Sequence, residues 1–298
     1  MVLEVVEMIF GIIDIGSHTL RLAVYERKNG VDSLLTKTKF ALGLAGYLKD
    51  GVMSEEGIFS LLTHLKDFCK FLRAFDITEV HSFATAALRM SKNNAEILAR
   101  IKAETGLDVK IISGEEEAAL AFIGATKDSP IKEGALIDIG GGSTEIVTFV
   151  GDKIIENHSL PIGAVSLSKK YNAEFFPSKK ARESVRLETL KTAQTANIKV
   201  NAKKALVLGG AAKGAKLLLN RDIIDSISKE EIDELLNRFQ GELSSHDKSL
   251  LLREVADRAP ILITGFVMLS TLMETMHTEK FYYKDGGVRE GYIDKYIK

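Results

Sequence analysis

Leu136-Ile137-Asp138-Ile139-Gly140-Gly141-Gly142-Ser143-Thr144-Glu145 runs an apolar strand into a carboxylate and on into three glycines. Without Cβ atoms, Gly140, Gly141 and Gly142 let several backbone N–H groups converge on one anion, and the hydroxyls of Ser143 and Thr144 add donors. Asp138 and Glu145 flank the turn as hard oxygen ligands suited to Mg²⁺, with Mn²⁺ as the alternative ion. Taken alone, the stretch reads equally as a phosphate seat or as a tight hairpin turn.

Two further stretches shift that balance. Ile12-Ile13-Asp14-Ile15-Gly16-Ser17-His18-Thr19 repeats the order of apolar strand, Asp, apolar residue, Gly and hydroxyl, which points to a duplicated fold. Ala205-Leu206-Val207-Leu208-Gly209-Gly210-Ala211 is a third apolar strand ending in glycines, followed by a helical pattern that would offer a second backbone nest. Strict alternation from Thr19 sets Arg21 on the same face, where its guanidinium could hold a phosphate bidentately or lie on the surface of an edge strand. His18 beside this turn could donate to an anion or be incidental to it, and Arg89, after the small residues of Thr85-Ala86-Ala87, is a second candidate phosphate clamp. Lys213 and Lys216, one turn apart behind Gly209-Gly210, face phosphate or water.

Ser113-Gly114-Glu115-Glu116-Glu117-Ala118 turns from a strand end into a helix with three carboxylates in its first turn. The helix dipole favours acids there, and that alone could account for them. A phosphoanhydride hydrolase also needs a carboxylate to take a proton from water, and one of this triplet is the candidate general base.

Strands alternating with helical patterns mark an α/β chain. The helix over Ser54 to Phe75 carries Ile58, Leu61, Leu62, Leu65, Phe68, Cys69 and Leu72 at three- and four-residue steps behind a serine cap. At 298 residues, 45% of them hydrophobic, the chain has material for two packed domains. A net charge of −1 supplies no field for nucleic acid or an anionic membrane. Cys69 is the only cysteine, which leaves no internal disulfide and no cysteine-based zinc site. Glu4 and Glu7 stand where a secretion signal would be cationic, and the apolar segment Ile261 to Met273 is too short to span a bilayer, so a cytoplasmic protein without a membrane partner is expected. The basic run of Lys169, Lys170, Lys179, Lys180 and Arg182 reads as a solvated helix face ahead of a polyanion track.

Asp14-Ile15-Gly16-Ser17, Ala84 to Arg89, Ser113 to Ala118, Asp138 to Glu145, Gly209-Gly210, Asp257-Arg258-Ala259 and Gly287-Val288-Arg289-Glu290-Gly291 together resemble the exopolyphosphatase/guanosine pentaphosphate phosphohydrolase (Ppx/GppA) family, in the family's order. The resemblance implies two actin-like, ribonuclease-H-like α/β domains around an interdomain cleft. The first would cover residues 1–124, completed by the C-terminal helix 288–298, and the second residues 125–287. It implies Mg²⁺-dependent release of terminal phosphate from inorganic polyphosphate or guanosine pentaphosphate. Glu117 matches the family's general base, with Glu116 beside it as the lesser candidate. Asp138 and Glu145 match positions near the metal, with Asp14 facing them from the other domain. Gly141, Gly142, Ser143 and the Ser17 turn match phosphate-binding loops, Arg21 and Arg89 match cleft arginines, and Arg258 matches a recurrent arginine of undefined role.

Three departures from the family pattern bear on function. Ser17-His18-Thr19 replaces Ser-Asn-Ser, and Ala211 stands where a threonine is usual, which implies a weaker grip at that turn. The extra C-terminal helical domains of longer members are not in this sequence, so processivity on long chains is not implied. A kinase of the actin-like superfamily and a non-catalytic polyphosphate or alarmone sensor remain open alternatives, as does assembly into a homodimer.

Overall fold

Each apolar run that leads into an Asp–Gly turn forms a strand, and chain reversal at the glycine pairs it with the strand that follows. The computed structural model describes residues 8–198 and 201–297. Glu4 and Glu7 lie outside the described residues. The chain divides into two units, Met1–Ser113 and Gly114–Lys298.

The first unit opens with the antiparallel meander β1 (Met8–Ile15), β2 (Thr19–Lys28) and β3 (Val31–Ala41). The short pair β4 (Leu48–Lys49) and β5 (Val52–Met53), α1 (Glu55–Ala74), β6 (Glu79–Ala84), α2 (Ala86–Arg89), α3 (Asn94–Thr105) and β7 (Val109–Ile111) follow. The main sheet runs β3-β2-β1-β6-β7, with β6 parallel to β1 and β7 parallel to β6. Ser54 caps α1, its side chain accepting from the Gly57 amide. The two-residue period of the strands turns Ile13, Ile15, Leu20, Leu22 and Val24 toward Leu61, Leu65, Phe68 and Leu72 of α1. Asp14, Thr19 and Arg21 consequently fall on the opposite face.

The second unit contains α4 (Gly114–Thr126), β8 (Glu133–Ile139), β9 (Thr144–Val150), β10 (Lys153–Leu160), α5 (Ala164–Lys170), α6 (Lys179–Thr195), β11 (Lys204–Leu208) and α7 (Gly209–Leu218). It continues through β12 (Ser226–Ser228), α8 (Lys229–Arg238), α9 (Ser245–Glu254), α10 (Ala259–Thr275), β13 (Lys280–Tyr283) and α11 (Val288–Tyr296). Its sheet order is β10-β9-β8-β11-β13-β12. Apart from the edge strand β12, this repeats the first unit: an antiparallel three-strand meander, then two parallel strands beyond its first member. The duplication read from the two Asp–Gly turns is therefore a duplication of topology.

Both faces of this second sheet are covered. Ile137, Ile139, Ile146 and Val207 pack into a core with Phe266, Met268 and Leu269 of α10, while Leu136, Val147, Phe149 and Leu206 pack against Ala118, Ala121 and Phe122 of α4. The run Ala256–Thr275 is long and apolar enough to cross a membrane, against the expectation that length excluded it, but 61% of its apolar window is buried inside the protein. Its apolarity is that of a core helix enclosed on all sides.

The C-terminal helix α11 packs on α4 within the second unit. Glycines are the physical reason. A Cβ on Gly291 would collide with the Leu120 carbonyl, and one on Gly124 with the Gly287 carbonyl, so the two segments meet backbone to backbone. Gly291→Ala should therefore lower the unfolding free energy by about 3 kcal/mol or more, at the upper end of overpacking effects. Urea denaturation measures this; a wild-type midpoint would show that α4 and α11 are not in such contact.

Candidate active site

The two glycine turns share one hydrogen-bonding plan. In the first, the Gly16 amide donates to the Thr19 carbonyl at 3.1 Å, and the carbonyls of Ser17 and His18 accept from Ala45 and Gly43, each at 2.9 Å. In the second, the Gly140 amide donates to the Ser143 carbonyl at 3.0 Å, and the carbonyls of Gly140 and Gly141 accept from Ala164 at 2.9 Å and Val165 at 3.0 Å. With their carbonyls engaged from behind, the amides of Ser17, Gly141 and Gly142 have no backbone acceptor among the described residues. Such consecutive amides form an anion-binding concavity. A Cβ on Gly163 would strike the backbone of Gly141 and Gly142, so α5 is seated directly against the second turn. In the first turn Ser17 Oγ is buried without a hydrogen-bond partner, a hydroxyl suited to an anion's oxygen.

What differs between the turns is charge. Antiparallel register sets Asp14 opposite Arg21 in the first unit and Asp138 opposite Glu145 in the second. Arg21 Nη1 donates to Asp14 Oδ2 at 2.9 Å, whereas Asp138 meets a second acid. Asp138 and Glu145 share the sheet face of Leu136 and Val147, which α4 covers, and the buried side of α4 begins at Glu117. Helical phase thus separates the glutamate triplet. Glu115 is exposed, and its carbonyl accepts from Asn157 Nδ2 at 3.0 Å. Glu116 is half-buried and accepts from the Tyr296 hydroxyl. Glu117 is buried, 7% exposed.

Burial, then the charge of Glu117, then that of Asp138 push the Glu145 carboxyl well above the usual carboxylate range, against hydrogen bonds from Ser143 and Ser159. Ser159 was not foreseen from sequence; its Oγ donates to Glu145 Oε1 at 2.9 Å, and its place opposite Glu145 in the β9–β10 register is the signal that would have found it.

Gly209, at φ +88°, begins α7 beside this cluster: a Cβ there would lie 2.6 Å from the Ile139 carbonyl oxygen and 3.3 Å from Asp138 Oδ1. Arg258 reaches the same helix start, donating from Nη1 to the Gly210 carbonyl at 3.3 Å while Asp257 accepts from Nε and Nη2. Lys213 sits half-buried further along α7. The Ala211 methyl is in the core, 2.9 Å from where a Cβ on Gly265 would stand, so this position is a packing contact between α7 and α10. Arg89, at the end of α2, donates from Nη1 to the Ile112 carbonyl at 3.0 Å.

In the basic run, Lys169 pairs with Glu174 and Lys170 with Glu188, and Arg182 donates to the carbonyls of Pro177, Leu236 and Phe239. Those three members are tied into the scaffold.

Among the described residues no group of three or more His, Cys, Asp or Glu side chains is gathered to cage a metal ion. The donor set nevertheless fits Mg²⁺, which keeps several waters and takes one or two carboxylates together with substrate phosphate. Asp138 and Glu145 are hard oxygen donors on one sheet face, and burial, with the charges of Glu117 and Asp138 beside it, raises the proton affinity of Glu145.

A family model described as the Ppx/GppA phosphatase family matches residues 23–298. Exopolyphosphatase 1 of Mycobacterium tuberculosis is 25% identical over 301 residues, covering 96% of this chain and 87% of the relative. The crystal structure of the Aquifex aeolicus member of the Ppx/GppA family is 28% identical and superposes with a TM-score of 0.76 over 96% of each chain. An exopolyphosphatase from Cytophaga hutchinsonii, 21% identical, shares the fold with a TM-score of 0.83 over 96% of this chain and 97% of its own. The α/β architecture with two mixed sheets is the one these structures have.

The raised proton affinity of Glu145 makes stability depend on pH. Unfolded, its carboxyl loses its proton near the ordinary value of about 4.3; folded, it holds the proton to higher pH. Between the two values the folded state binds more protons, so metal-free stability falls as pH rises above the ordinary value. Glu145→Gln should flatten that slope and melt above wild type at pH 8 in EDTA. Equal pH slopes for the two proteins would refute the assignment.

Proposed function

The chain belongs to the Ppx/GppA phosphatase family, and we propose that it hydrolyses a terminal phosphoanhydride, releasing phosphate from inorganic polyphosphate or from guanosine pentaphosphate. The observation that carries this reading is the convergence of Glu117, Asp138 and Glu145, coupled by charge, on a turn whose Ser143 binds Glu145. A kinase would need a second substrate, and nothing in this cluster calls for one.

Glu117 is the proposed general base: its carboxylate accepts a proton from water as the water oxygen bonds to phosphorus and the anhydride P–O bond breaks. Asp138 and Glu145 would hold Mg²⁺, which supplies charge neutralisation for the phosphoryl oxygens. The amides of Gly141 and Gly142 are fixed donors for the same oxygens and need no reorganisation during the reaction. Burial keeps Glu117 from bulk water and fixes its aim. The Gly16–Thr19 turn, with Arg21 and Arg89 as cations of its unit, is a further place for phosphate to bind. No covalent intermediate is required. The name of the mycobacterial relative agrees with the polyphosphate form of this activity.

Phosphate released from polyphosphate or guanosine pentaphosphate with Mg²⁺ and no acceptor tests the reading. Glu117→Gln should lower kcat by about 10²–10⁴-fold, the usual share of a general base, with KM changed little. Wild-type turnover in that variant would remove Glu117 from the mechanism. Ligand-dependent thermal stabilisation with no hydrolysis at any Mg²⁺ concentration would make the protein a binding module instead.

A further inference from the structure

The duplicated hairpins are alike in backbone and opposite in charge, and the difference lies at one register position. Across β1 and β2, Arg21 Nη1 donates to Asp14 Oδ2 at 2.9 Å, with side chains 45% and 11% exposed respectively. The acid is the buried member, and the guanidinium is the one that reaches solvent. A buried carboxylate in a charge-assisted hydrogen bond fixes where a planar guanidinium points. It points to the glycine turn: a Cβ on Gly16 would lie 3.8 Å from Arg21 Nη1 and 3.8 Å from Asp14 Oδ1.

At that turn Ser17 is 5% exposed, and its Oγ has no hydrogen-bond partner. The carbonyls of Ser17 and His18 are already occupied by the amides of Ala45 and Gly43. What the turn presents is therefore donors: the amide and hydroxyl of Ser17 and the Arg21 guanidinium.

We propose that Asp14 is a positioning residue for Arg21 at a metal-independent phosphate site in the first unit, not a metal ligand. The guanidinium already neutralises the Asp14 carboxylate where it stands, and a divalent cation placed there would meet the charge of Arg21. In the second unit the equivalent position holds Glu145, so an acid faces Asp138 where an arginine faces Asp14. The site takes a tetrahedral phosphoryl group of a phosphate chain. Its connection to catalysis rests on the hydrolase reading above, but its binding does not.

The test is isothermal titration of tripolyphosphate into the full chain in EDTA. Wild type should bind without metal, Asp14→Asn should bind about tenfold more weakly, Asp14→Glu should recover part of the loss, and Arg21→Ala should lose more than Asp14→Asn. In Mg²⁺-dependent turnover, Asp14→Asn should raise KM and leave the half-activating Mg²⁺ concentration unchanged, whereas Asp138→Asn should raise that concentration. Unchanged metal-free affinity in Asp14→Asn, an increased Mg²⁺ requirement in that variant, or no metal-free binding by wild type would each overturn the proposal. Binding that follows this order in a protein that hydrolyses nothing would sink the hydrolase reading and leave this one standing.

Discussion

Burial of Glu145 beside the charges of Glu117 and Asp138 is the constraint to which the rest of the second unit is fitted. Three carboxylates at the end of an otherwise apolar sheet face are costly: the proton affinity of Glu145 is the direct expression of that cost, and a fold optimised only for stability would place apolar side chains there. The surrounding structure holds them together regardless. Strand alternation delivers Asp138 and Glu145 to the face that α4 covers, α4 brings Glu117 in at the start of its buried side, and α11 clamps α4 through contacts that tolerate only glycine. Ser143 and Ser159 supply hydrogen bonds that lower the cost in part. On the proposed reading a divalent cation would offset part of the remainder, and stability lost without metal would return as affinity for the ion.

The first unit solves the opposite problem with the same backbone. Its hairpin closes with the same amide-to-carbonyl bond, but an arginine stands at the register position of the second acid. On the proposal made above, that one register position separates a turn suited to an anion from one suited to a cation. Duplication of a fold supplies two copies of a geometry, and chemistry is then assigned by the few side chains that face it.

Much of this was legible in the sequence because it is encoded locally. Alternation and glycine placement gave the strands, the serine before α1 gave its start, and two copies of Asp-x-Gly gave the repeat. The identity of the buried glutamate was not local. Glu115, Glu116 and Glu117 are equivalent as a helix first turn, and only the phase of α4 on the sheet distinguishes them. The seat of the C-terminal helix on α4 was not local for the same reason, since Gly124 and Gly291 read as ordinary glycines until their opposing carbonyls are known. Arg182 belonged to a basic run in the sequence, while its acceptors, Leu236 and Phe239, lie more than fifty residues away. The Asp14–Arg21 pair was within reach, because residues equidistant from a hairpin turn face one another.

The claim at the centre of the account is that the buried acid cluster is where a divalent cation binds. Thermal melting of wild type and Glu145→Gln in EDTA and across a Mg²⁺ titration tests it most directly. The account predicts that Mg²⁺ raises the melting temperature of wild type and raises that of Glu145→Gln much less. An equal Mg²⁺-dependent rise in the two proteins, or no rise in wild type, would contradict it.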